Sequence, residues 1–523
     1  MKLKSRLLYM NTKIFAASIL LMCSFSGRAQ KIKPVNKGEI FYHVFQRSFY
    51  DGNGDKYGDL NGLKQKLPYL QDLGVTSILL LPLYAADCYH NYFANDFETI
   101  DAEYGTMEDY ISLVREVHKR GMKVYIDMET QYIAEKHIWW KDAVANLNSP
   151  YSDYILFEDS QHLVPSTMVF DLRELNSYDG SFIKATTVNL LSRNILDYNK
   201  RLFAFFVDPN KDGDFDDGVD GFRLDHAMDN LDRKPALTDL FTRFWKPLLI
   251  HLKNLNPALK NVAEQSDWNN YGFSYFEKTG VDRVFGFGLQ RAILSFDKQQ
   301  LIKNADSILA KCPQGKEQII FLENHDMDRL ASLVPETSRQ KLAAALLLLI
   351  GGIPSIYYGQ EIGMQGKIGN WGNTDGNDIP RRAAFDWYAS GNGKGMATWY
   401  EHTGGWWDNN LLIPNDGVSA EEQMNNDSSL FNYYKKLIYL RQSNPALANG
   451  SYKIAINDND YIFSFFRKNN DSKVLVAANL SGELQTARFN YVNNNCTVLF
   501  GKIQSYNKTI QLNPYEVLVF EIK

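Results

Sequence analysis

Cysteine is scarce in this chain of 523 residues, which contains four. Cys88, Cys312 and Cys496, the three outside the N-terminal segment, are too few and odd in number to predict a disulfide framework, and their spacing suggests no redox or zinc site. Positive charge is not in excess either: the net charge is −5 at pH 7, and an acidic chain is a poor ligand for nucleic acid. Internal repeats and low-complexity segments are also absent, which argues against a repeat architecture.

The N-terminus lacks a hydrophobic run long enough to span a membrane. Its apolar run, Ile14 to Phe25, is too short for a transmembrane helix, follows several basic residues and precedes the small residues Gly27 and Ala29. This is the pattern of a secretory signal peptide. We therefore predict that residues 1–29 are a signal peptide and that the protein is secreted or periplasmic. A lipid anchor at Cys23 is an alternative, because L-L-M-C weakly resembles an acylation site.

The sequence D-G-V-D-G-F-R-L-D, ending at Asp225, predicts a short buried strand with a charged end. Arg223 stands two residues before Asp225, so the two side chains lie on the same face of the strand. The guanidinium can therefore hold the carboxylate ionised at neutral pH and orient it, as a nucleophilic aspartate requires. Taken alone, a simple ion pair at a strand end explains the pattern equally well.

Two further acids follow apolar segments. Val262 and Ala263 precede Glu264, and the run I-I-F-L-E-N-H-D ends at Asp326. A retaining glycosidase needs a nucleophile and a proton donor roughly 5 Å apart. Partial burial near an ionised Asp225 would raise the pKa of Glu264 and keep it protonated, as a donor must be. The alternative is three unrelated acids in ion pairs.

The motifs G-F-R-L-D, a glutamate after a short strand, and N-H-D, in this order, resemble the conserved regions of glycoside hydrolase family 13, the α-amylase family. The resemblance implies a (β/α)₈ barrel in which three strands each end in one carboxylate. It assigns Asp225 as the nucleophile, Glu264 as the acid/base, and Asp326 as the residue that grips the sugar and stabilises the transition state. It also implies four supporting, substrate-binding residues: Tyr92, Asp127, Arg223 and His325.

The loop after the first predicted strand, D-G-N-G-D-K-Y-G-D, alternates acidic and amide side chains with glycine, which lets oxygen atoms converge on a hard cation. It also resembles the calcium loop of many family members, and predicts calcium bound by five residues: Asp51, Asn53, Asp55, Tyr57 (through its carbonyl) and Asp59. A plain Asx/Gly turn is the alternative. A second loop begins like an EF-hand at Asp208, Asn210 and Asp212, but Val219 stands where a glutamate is expected. A solvated acidic turn explains that loop as well.

Three residues depart from the family pattern. Phe93 replaces an aspartate that closes the pocket of exo-acting α-glucosidases, which argues against such a pocket here. Gln131 replaces an asparagine that often binds a structural calcium, and makes that second calcium site unexpected. Tyr132 replaces a histidine that contacts the sugar. These changes leave the preferred bond and the mode of action open.

We predict an α/β architecture of three parts after the signal peptide. Residues 30–446 form the catalytic (β/α)₈ TIM barrel, interrupted by an aromatic-rich inserted domain at 128–188, after the third strand. Residues 447–523, with short strand patterns split by turn residues, form an antiparallel β-sandwich. Within the barrel, the patterns predict a strand from Thr76 to Leu83 and a helix from Val188 to Phe206.

The predicted function is retaining hydrolysis of α-glucosidic bonds, mainly α-1,4, in starch-type glucans and maltooligosaccharides, with an α-glucan as partner and calcium as cofactor. A transglycosidase or an α-glucosidase of the same family, acting on another α-glucoside, is the alternative. A catalytically weakened barrel that only binds glucan is a third reading. Retention of all three acids argues against it.

Overall fold

Eight parallel strands close into a barrel in the computed structural model of this protein, which describes residues 38–408, 412–490, 496–502 and 508–522. Each barrel strand pairs with its neighbours in chain order, and the last pairs with the first. The predicted (β/α)₈ barrel is therefore confirmed. Its strands are β1 (Phe41–Val44), β2 (Ser77–Leu80), β3 (Lys123–Met128), β4 (Gly221–Leu224), β5 (Val262–Ala263), β6 (Arg283–Phe285), β7 (Glu317–Ile320) and β8 (Ile353–Tyr357).

The barrel strands are apolar because helices cover the outside and side chains fill the inside. Seven of the eight strands contribute to a hydrophobic cluster that is separate from the one shared with the helices, which places it inside the barrel. Its strand members are Phe41, Leu79, Tyr125, Val262, Phe285, Ile319 and Ile353. The interior is thus a packed core, and the functional surface must lie at an end of the barrel.

Fourteen α-helices occur in the described ranges. The leucine stripe of the first one, at positions 63, 67, 70 and 73, is fully buried as its spacing predicts. Asp59 caps the start of this helix, and Gly74, at φ 98°, ends it. The helices are α1 (Leu60–Leu73), α2 (Met107–Lys119), α3 (Ile138–Ala143), α4 (Arg193–Val207), α5 (Lys246–Leu255), α6 (Phe273–Thr279), α7 (Phe287–Ser295), α8 (Lys298–Ala305), α9 (Leu330–Leu333), α10 (Thr337–Leu349), α11 (Gly405–Asp408), α12 (Ala420–Met424), α13 (Leu430–Ser443) and α14 (Pro445–Asn449).

Two predicted boundaries differ from the structure. The apolar run from Thr76 stays buried to Leu83, but β2 ends at Leu80, because the next two carbonyls accept hydrogen bonds from the side chain of Gln46. The helix predicted from Val188 begins instead at Arg193. Its N-cap is Ser192, whose extended backbone and side-chain hydrogen bonds to the first turn stop the helix from starting earlier.

The region 128–188 carries three strands and helix α3. These strands join two others, which come from the segment between β2 and α2, in one five-stranded sheet. The sequence patterns did not predict the contribution of that earlier segment. In order across the sheet, the strands are Tyr84–Ala86, Ala94–Ile100, Tyr132–Ala134, Phe182–Thr187 and Glu174–Asn176.

The C-terminal part is an antiparallel β-structure, as predicted. A hydrophobic cluster that includes Leu475, Phe489, Ile510 and Leu518 joins its two sheets. One sheet has the strand order Ser451–Ile454, Ile462–Lys468, Lys473–Asn479, Val517–Ile522, Thr497–Phe500, and the other pairs Gln485–Arg488 with Thr509–Leu512.

The predicted signal peptide, residues 1–29, and the predicted anchor site Cys23 lie outside the described residues. Within the ranges that are described, none of the helices combines the length and the apolar character that crossing a membrane requires.

Two buried arginines connect the C-terminal part to the barrel. Arg467, on the strand Ile462–Lys468, donates to the carbonyls of Leu349 at 2.9 Å and Gly450 at 2.7 Å. Arg441, on α13, donates to the carbonyl of Leu348 at 2.8 Å and to that of Ala448 at 3.1 Å. The carbonyls of Leu348 and Leu349 belong to the last turn of α10, where the helix dipole favours a cation. These bonds compensate in part for burying two guanidinium groups.

Replacing Arg467 is expected to destabilise the protein. Arg467→Met leaves the carbonyls of Leu349 and Gly450 buried without a partner, and we expect a loss of roughly 2–4 kcal/mol in the free energy of unfolding. Lys468→Met, at the exposed neighbour, should change it by less than about 0.5 kcal/mol. Urea denaturation followed by far-UV circular dichroism measures both. Equal stability of the two variants would contradict this role of Arg467.

Candidate active site

The three acids predicted to be catalytic lie at the same end of the barrel. Asp225 follows β4 directly, Glu264 follows β5 directly, and Asp326 lies in the loop after β7. Because all eight strands are parallel, their carboxyl ends share one face of the barrel, where enzymes of this architecture work.

The guanidinium of Arg223 contacts three carboxylates at this face. Its side chain is 2% exposed, and its Nη1 contacts Oδ2 of Asp127 and lies 2.5 Å from Oδ1 of Asp225. Its Nη2 lies 2.9 Å from Oε2 of Glu264. The pairing of β3 with β4 sets Asp127 opposite Arg223. One buried cation thus offsets part of the negative charge of three neighbouring acids.

The two oxygens of Glu264 differ in their surroundings. Oε2 lies 2.9 Å from Nη2 of Arg223 in an ion pair and accepts a hydrogen bond, at 3.2 Å, from the main-chain N–H of His226. Both contacts are made by the same oxygen. Oε1 therefore remains as the oxygen that can carry a proton to a substrate.

Tyr92 and His325 form a polar wall beside this centre. The hydroxyl of Tyr92 donates to Oδ2 of Asp127 at 2.8 Å and lies 2.8 Å from Nε2 of His325. The two rings are nearly parallel, with 5.6 Å between their centroids. Burial and the nearby Arg223 hold the pKa of His325 well below its ordinary value, so this imidazole is neutral. The structure therefore brings all seven predicted catalytic and substrate-binding residues together.

Arg382 is a site residue that the sequence analysis missed. Its Nη2 lies 3.1 Å from Oδ1 of Asp326, and its Nε donates to the carbonyl of His325 at 2.9 Å. Its Nη1 donates to the hydroxyl of Tyr89 at 2.8 Å. Arg382 comes from the loop after β8, and nothing in its local sequence indicates a partner far away in the chain. Only the loop's path across the barrel brings it to Asp326.

Burial raises the pKa of all three acids. The pKa of Asp225 rises to about 6, although Arg223 opposes the shift, and that of Asp326 rises to about 6 against the opposing charge of Arg382. The pKa of Glu264 is also raised, by burial and by the charge of Asp225, while Arg223 opposes this shift too. At neutral pH the carboxylate of Asp225 is therefore mostly ionised, as expected. Its pKa, however, is higher than that of an ordinary aspartate. The raised pKa of Glu264 agrees with the sequence expectation.

The three departures from the family pattern have defined partners. The ring of Phe93, 7% exposed, packs edge-on against the rings of His90 and Tyr132. The side chain of Gln131 donates to the carbonyl of Asp225 at 2.5 Å. Tyr132 donates through its hydroxyl to Asp232. Gln131 and Tyr132 thus lie beside the nucleophile candidate.

The predicted calcium loop is held by its own hydrogen bonds. Side-chain oxygens of Asp51, Asn53 and Asp55 accept from main-chain amides within the loop, while Asp59 uses one oxygen for the loop and the other as the N-cap of α1. Carboxylate, amide and carbonyl oxygens suit Ca²⁺. Within the described ranges, however, no three His, Cys, Asp or Glu side chains group as a metal site. Calcium binding at this loop stays a prediction.

The second acidic loop is closed in a similar way. Asp208 accepts a hydrogen bond from the amide of Gly213, and Asn210 accepts one from the amide of Asp212. These bonds are those of a hydrogen-bonded acidic turn. The loop can form these bonds without a cation, and they do not show whether a cation binds there.

Comparison with known proteins gives consistent matches over most of the chain. The family model "Alpha amylase, catalytic domain" matches residues 43–243 and 257–450. "Alpha-amylase 3" of Dictyoglomus thermophilum is 28% identical, with 94% of each chain covered. A "4-alpha-glucanotransferase" of Thermotoga maritima is 28% identical over 85% of this chain and 96% of its own. A "Glucan 1,6-alpha-glucosidase" of Streptococcus pneumoniae is 28% identical over 85% and 91%, respectively.

Solved structures agree with these sequence matches. The crystal structure of an alpha-amylase from H. orenii superposes with a TM-score of 0.77 at 26% identity, and covers 93% of this chain and 100% of that one. The family model spans well over half of the sequence, and the acids at the barrel face occupy the positions that the sequence motifs predict. The chain therefore belongs to the α-amylase family of glycoside hydrolases.

Proposed function

We propose that this enzyme hydrolyses α-glucosidic bonds, mainly α-1,4, in starch-type glucans and maltooligosaccharides, with retention of anomeric configuration. The observation that carries the proposal is the placement of Asp225 and Glu264 on opposite arms of one guanidinium, with Asp326 at the same barrel face. A retaining mechanism needs a nucleophile and a proton donor that flank the bond to be cleaved.

In the first step Asp225 attacks the anomeric carbon. Arg223 holds its Oδ1 and keeps the carboxylate oriented, so we assign the attack to Oδ2. The bond between the anomeric carbon and the glycosidic oxygen breaks, and Glu264 gives its proton to that oxygen. The products of this step are a glucosyl ester of Asp225 and a glucan with a free hydroxyl at its new end.

In the second step water releases the sugar from Asp225. The negative charge of Asp225, one cause of the raised pKa of Glu264, disappears when the ester forms. The pKa of Glu264 then falls, so this carboxylate can accept a proton from water as the water attacks the anomeric carbon. The carboxylate of Asp225 is regenerated, and the sugar leaves as the α-anomer.

The remaining residues position the sugar. Asp326 is held by Arg382 and lies 3.1 Å from His325, and we assign it to the hydroxyls of the sugar at the cleaved bond, whose contacts strengthen as oxocarbenium character develops. The ring of Tyr92 offers an apolar face on which that sugar can stack. The loss of the family's pocket aspartate at Phe93 favours an open cleft over an exo pocket.

A transglycosidase of the same family is the second candidate. It shares both chemical steps and differs only in that a sugar hydroxyl, instead of water, attacks the ester. The relative from T. maritima is a 4-alpha-glucanotransferase by name, which supports keeping this candidate. The relative named as an α-amylase covers more of this chain and supports hydrolysis.

We also propose that the protein binds calcium and that it is secreted. The loop after β1 would hold calcium through the carboxylates of Asp51, Asp55 and Asp59, the amide oxygen of Asn53 and the carbonyl of Tyr57, and the cation would stiffen the connection between β1 and α1. Residues 1–29 would direct the protein out of the cytoplasm as a signal peptide. Neither property enters the chemical steps.

Loss of the nucleophile should abolish turnover and leave binding intact. Wild-type protein incubated with starch, pullulan, maltoheptaose and cyclodextrin is expected to release short α-anomeric maltooligosaccharides. Asp225→Asn, which keeps the size of the side chain, should lower kcat by at least about 10³-fold and still bind maltoheptaose. Asp427→Asn, at an exposed aspartate in the loop before α13, serves as the control. Product length and anomer, followed by chromatography and NMR, decide the outcome.

Each failure of this experiment has a distinct meaning. Release of longer chains than the substrate would identify the transglycosidase. Equal activity of Asp225→Asn and wild type, or binding without any cleavage by wild type, would contradict the proposed mechanism.

Removal of calcium should lower thermal stability. When the free Ca²⁺ concentration is 100 times its Kd, binding stabilises the folded state by about 2.7 kcal/mol. Chelation is therefore expected to lower the Tm by a few degrees, and added Ca²⁺ should restore it. The double variant Asp51→Asn/Asp55→Asn should not respond to either treatment. Asp208→Asn, in the second acidic loop, is the control: its Tm should respond to chelator and Ca²⁺ as that of wild type does, which shows that the cation binds at the loop after β1. A Tm of wild type that is unaffected by chelator and by Ca²⁺ would refute calcium binding.

A further inference from the structure

The turn that follows Asp225 has an unusual backbone. His226 is at φ 43°, in the left-handed region that residues other than glycine rarely adopt. This conformation costs about 1 kcal/mol or more for a residue with a side chain. Neighbouring groups must therefore hold it.

Three side chains form a hydrogen-bonded chain that reaches this turn. Nε2 of His226 lies 3.0 Å from Oδ1 of Asp232, and Oδ2 of the same carboxylate accepts from the hydroxyl of Tyr132 at 2.5 Å. The side chain of Asp232 is 8% exposed and that of His226 is 25% exposed. Tyr132 is anchored in the five-stranded sheet at 2% exposure, so it gives the chain a fixed end.

The main chain of the turn is held from the other side. Nε2 of Gln131 donates to the carbonyl of Asp225 at 2.5 Å and to that of His226 at 3.3 Å. The amide of Thr130 in turn donates to Oε1 of Gln131 at 2.7 Å. Gln131 is fully buried. The turn is therefore fixed through its carbonyls by Gln131 and through its side chain by Asp232.

The backbone conformation of His226 determines one hydrogen bond to Glu264. In the conformation that His226 adopts, its N–H donates to Oε2 of Glu264 at 3.2 Å. A rotation of the backbone at His226 would turn this N–H away. Oε2 would then lose the main-chain hydrogen bond and keep only the ion pair with Arg223, so the proton of the acid form would be less strictly confined to Oε1.

We propose that the chain Tyr132–Asp232–His226 is a positioning device for Glu264. It keeps the backbone of His226 in the left-handed conformation, so that the N–H of His226 holds Oε2 and the proton stays on Oε1, towards the leaving oxygen. The inference rests on the proposed function, in which Glu264 is the acid/base. It gives Tyr132 a role at the proton donor, where the family pattern has a histidine that contacts the sugar.

The charges within the hydrogen-bonded chain Tyr132–Asp232–His226 support this role. Burial lowers the pKa of His226, but the hydrogen bond to Asp232 and the charges of Asp225 and Asp232 outweigh burial and raise it. A protonated imidazole makes a charge-assisted bond to a carboxylate, which is stronger than a neutral one. A raised pKa of His226 thus favours the stronger form of its bond to Asp232.

Leaving-group dependence tests the proposal. Maltoheptaose needs a proton from Glu264 as its bond breaks, whereas α-maltosyl fluoride does not, because fluoride is a stable leaving group. For Tyr132→Phe and Asp232→Asn we expect kcat/KM on maltoheptaose to fall roughly 10- to 100-fold, a part of what general acid catalysis contributes. On α-maltosyl fluoride, both variants should stay within about 3-fold of wild type.

Three further variants make the result decisive. Glu264→Gln should show the same selective loss in a larger form, and Tyr439→Phe, at a tyrosine that is 74% exposed, should match wild type on both substrates. His226→Ala removes the imidazole and leaves a residue that disfavours the left-handed region, and should resemble Asp232→Asn. Activity on the fluoride also shows that each variant is folded.

The outcomes separate this inference from the proposed function. Equal losses on both substrates, or a rise in KM without a fall in kcat, would mean that the chain contacts sugar or only supports the fold, and would overturn the inference. Unchanged activity on maltoheptaose would overturn it too. If wild type cleaves neither substrate, the proposed function itself fails.

Discussion

The active site depends on one buried cation, the guanidinium of Arg223. A charge that is removed from water must be paired and hydrogen-bonded, and this one contacts three carboxylates at once. The register of the barrel creates these contacts, since Arg223 on β4 lies opposite Asp127 on β3 and Val262 on β5. Closing the barrel therefore brings together Asp225 and Glu264, the proposed nucleophile and acid/base. A slip in the register of β4 would separate the three acids.

The same cation accounts for how two similar acids could take the different parts proposed for them. The side chains of Asp225 and Glu264 are only 15% and 11% exposed, and removal from water alone would favour the protonated form of each. Arg223 touches both, but Glu264 also lies near the charge of Asp225, which holds its pKa up. In the proposed mechanism, the loss of that charge in the covalent intermediate would let Glu264 change from acid to base. The geometry thus couples the protonation of one acid to the state of the other.

The sequence predicts those parts of the site that depend on local pattern. A two-residue strand before Glu264 and an arginine two positions before Asp225 can be read directly, because strand periodicity fixes where these side chains lie. Arg382 and Asp232 cannot, since each meets its partner only through the path of an irregular loop. The contact of Tyr132 with Asp232 escapes a local reading for a similar reason: Asp232 lies in a left-handed turn that no local pattern indicates. The strand Ala94–Ile100 joins the inserted sheet through pairing with Tyr132–Ala134, a long-range contact of the same kind.

The most direct test is to trap the covalent intermediate. A 5-fluoro-α-glucosyl fluoride carries a good leaving group and forms an ester that reacts slowly with water, so the labelled protein can be digested and analysed by mass spectrometry. The mechanism predicts one added fluoroglucosyl group on the peptide that contains Asp225, and none in Asp225→Asn. A label on Glu264 or Asp326, with Asp225 unmodified, would contradict the assignment of the nucleophile and the arrangement around Arg223 that supports it.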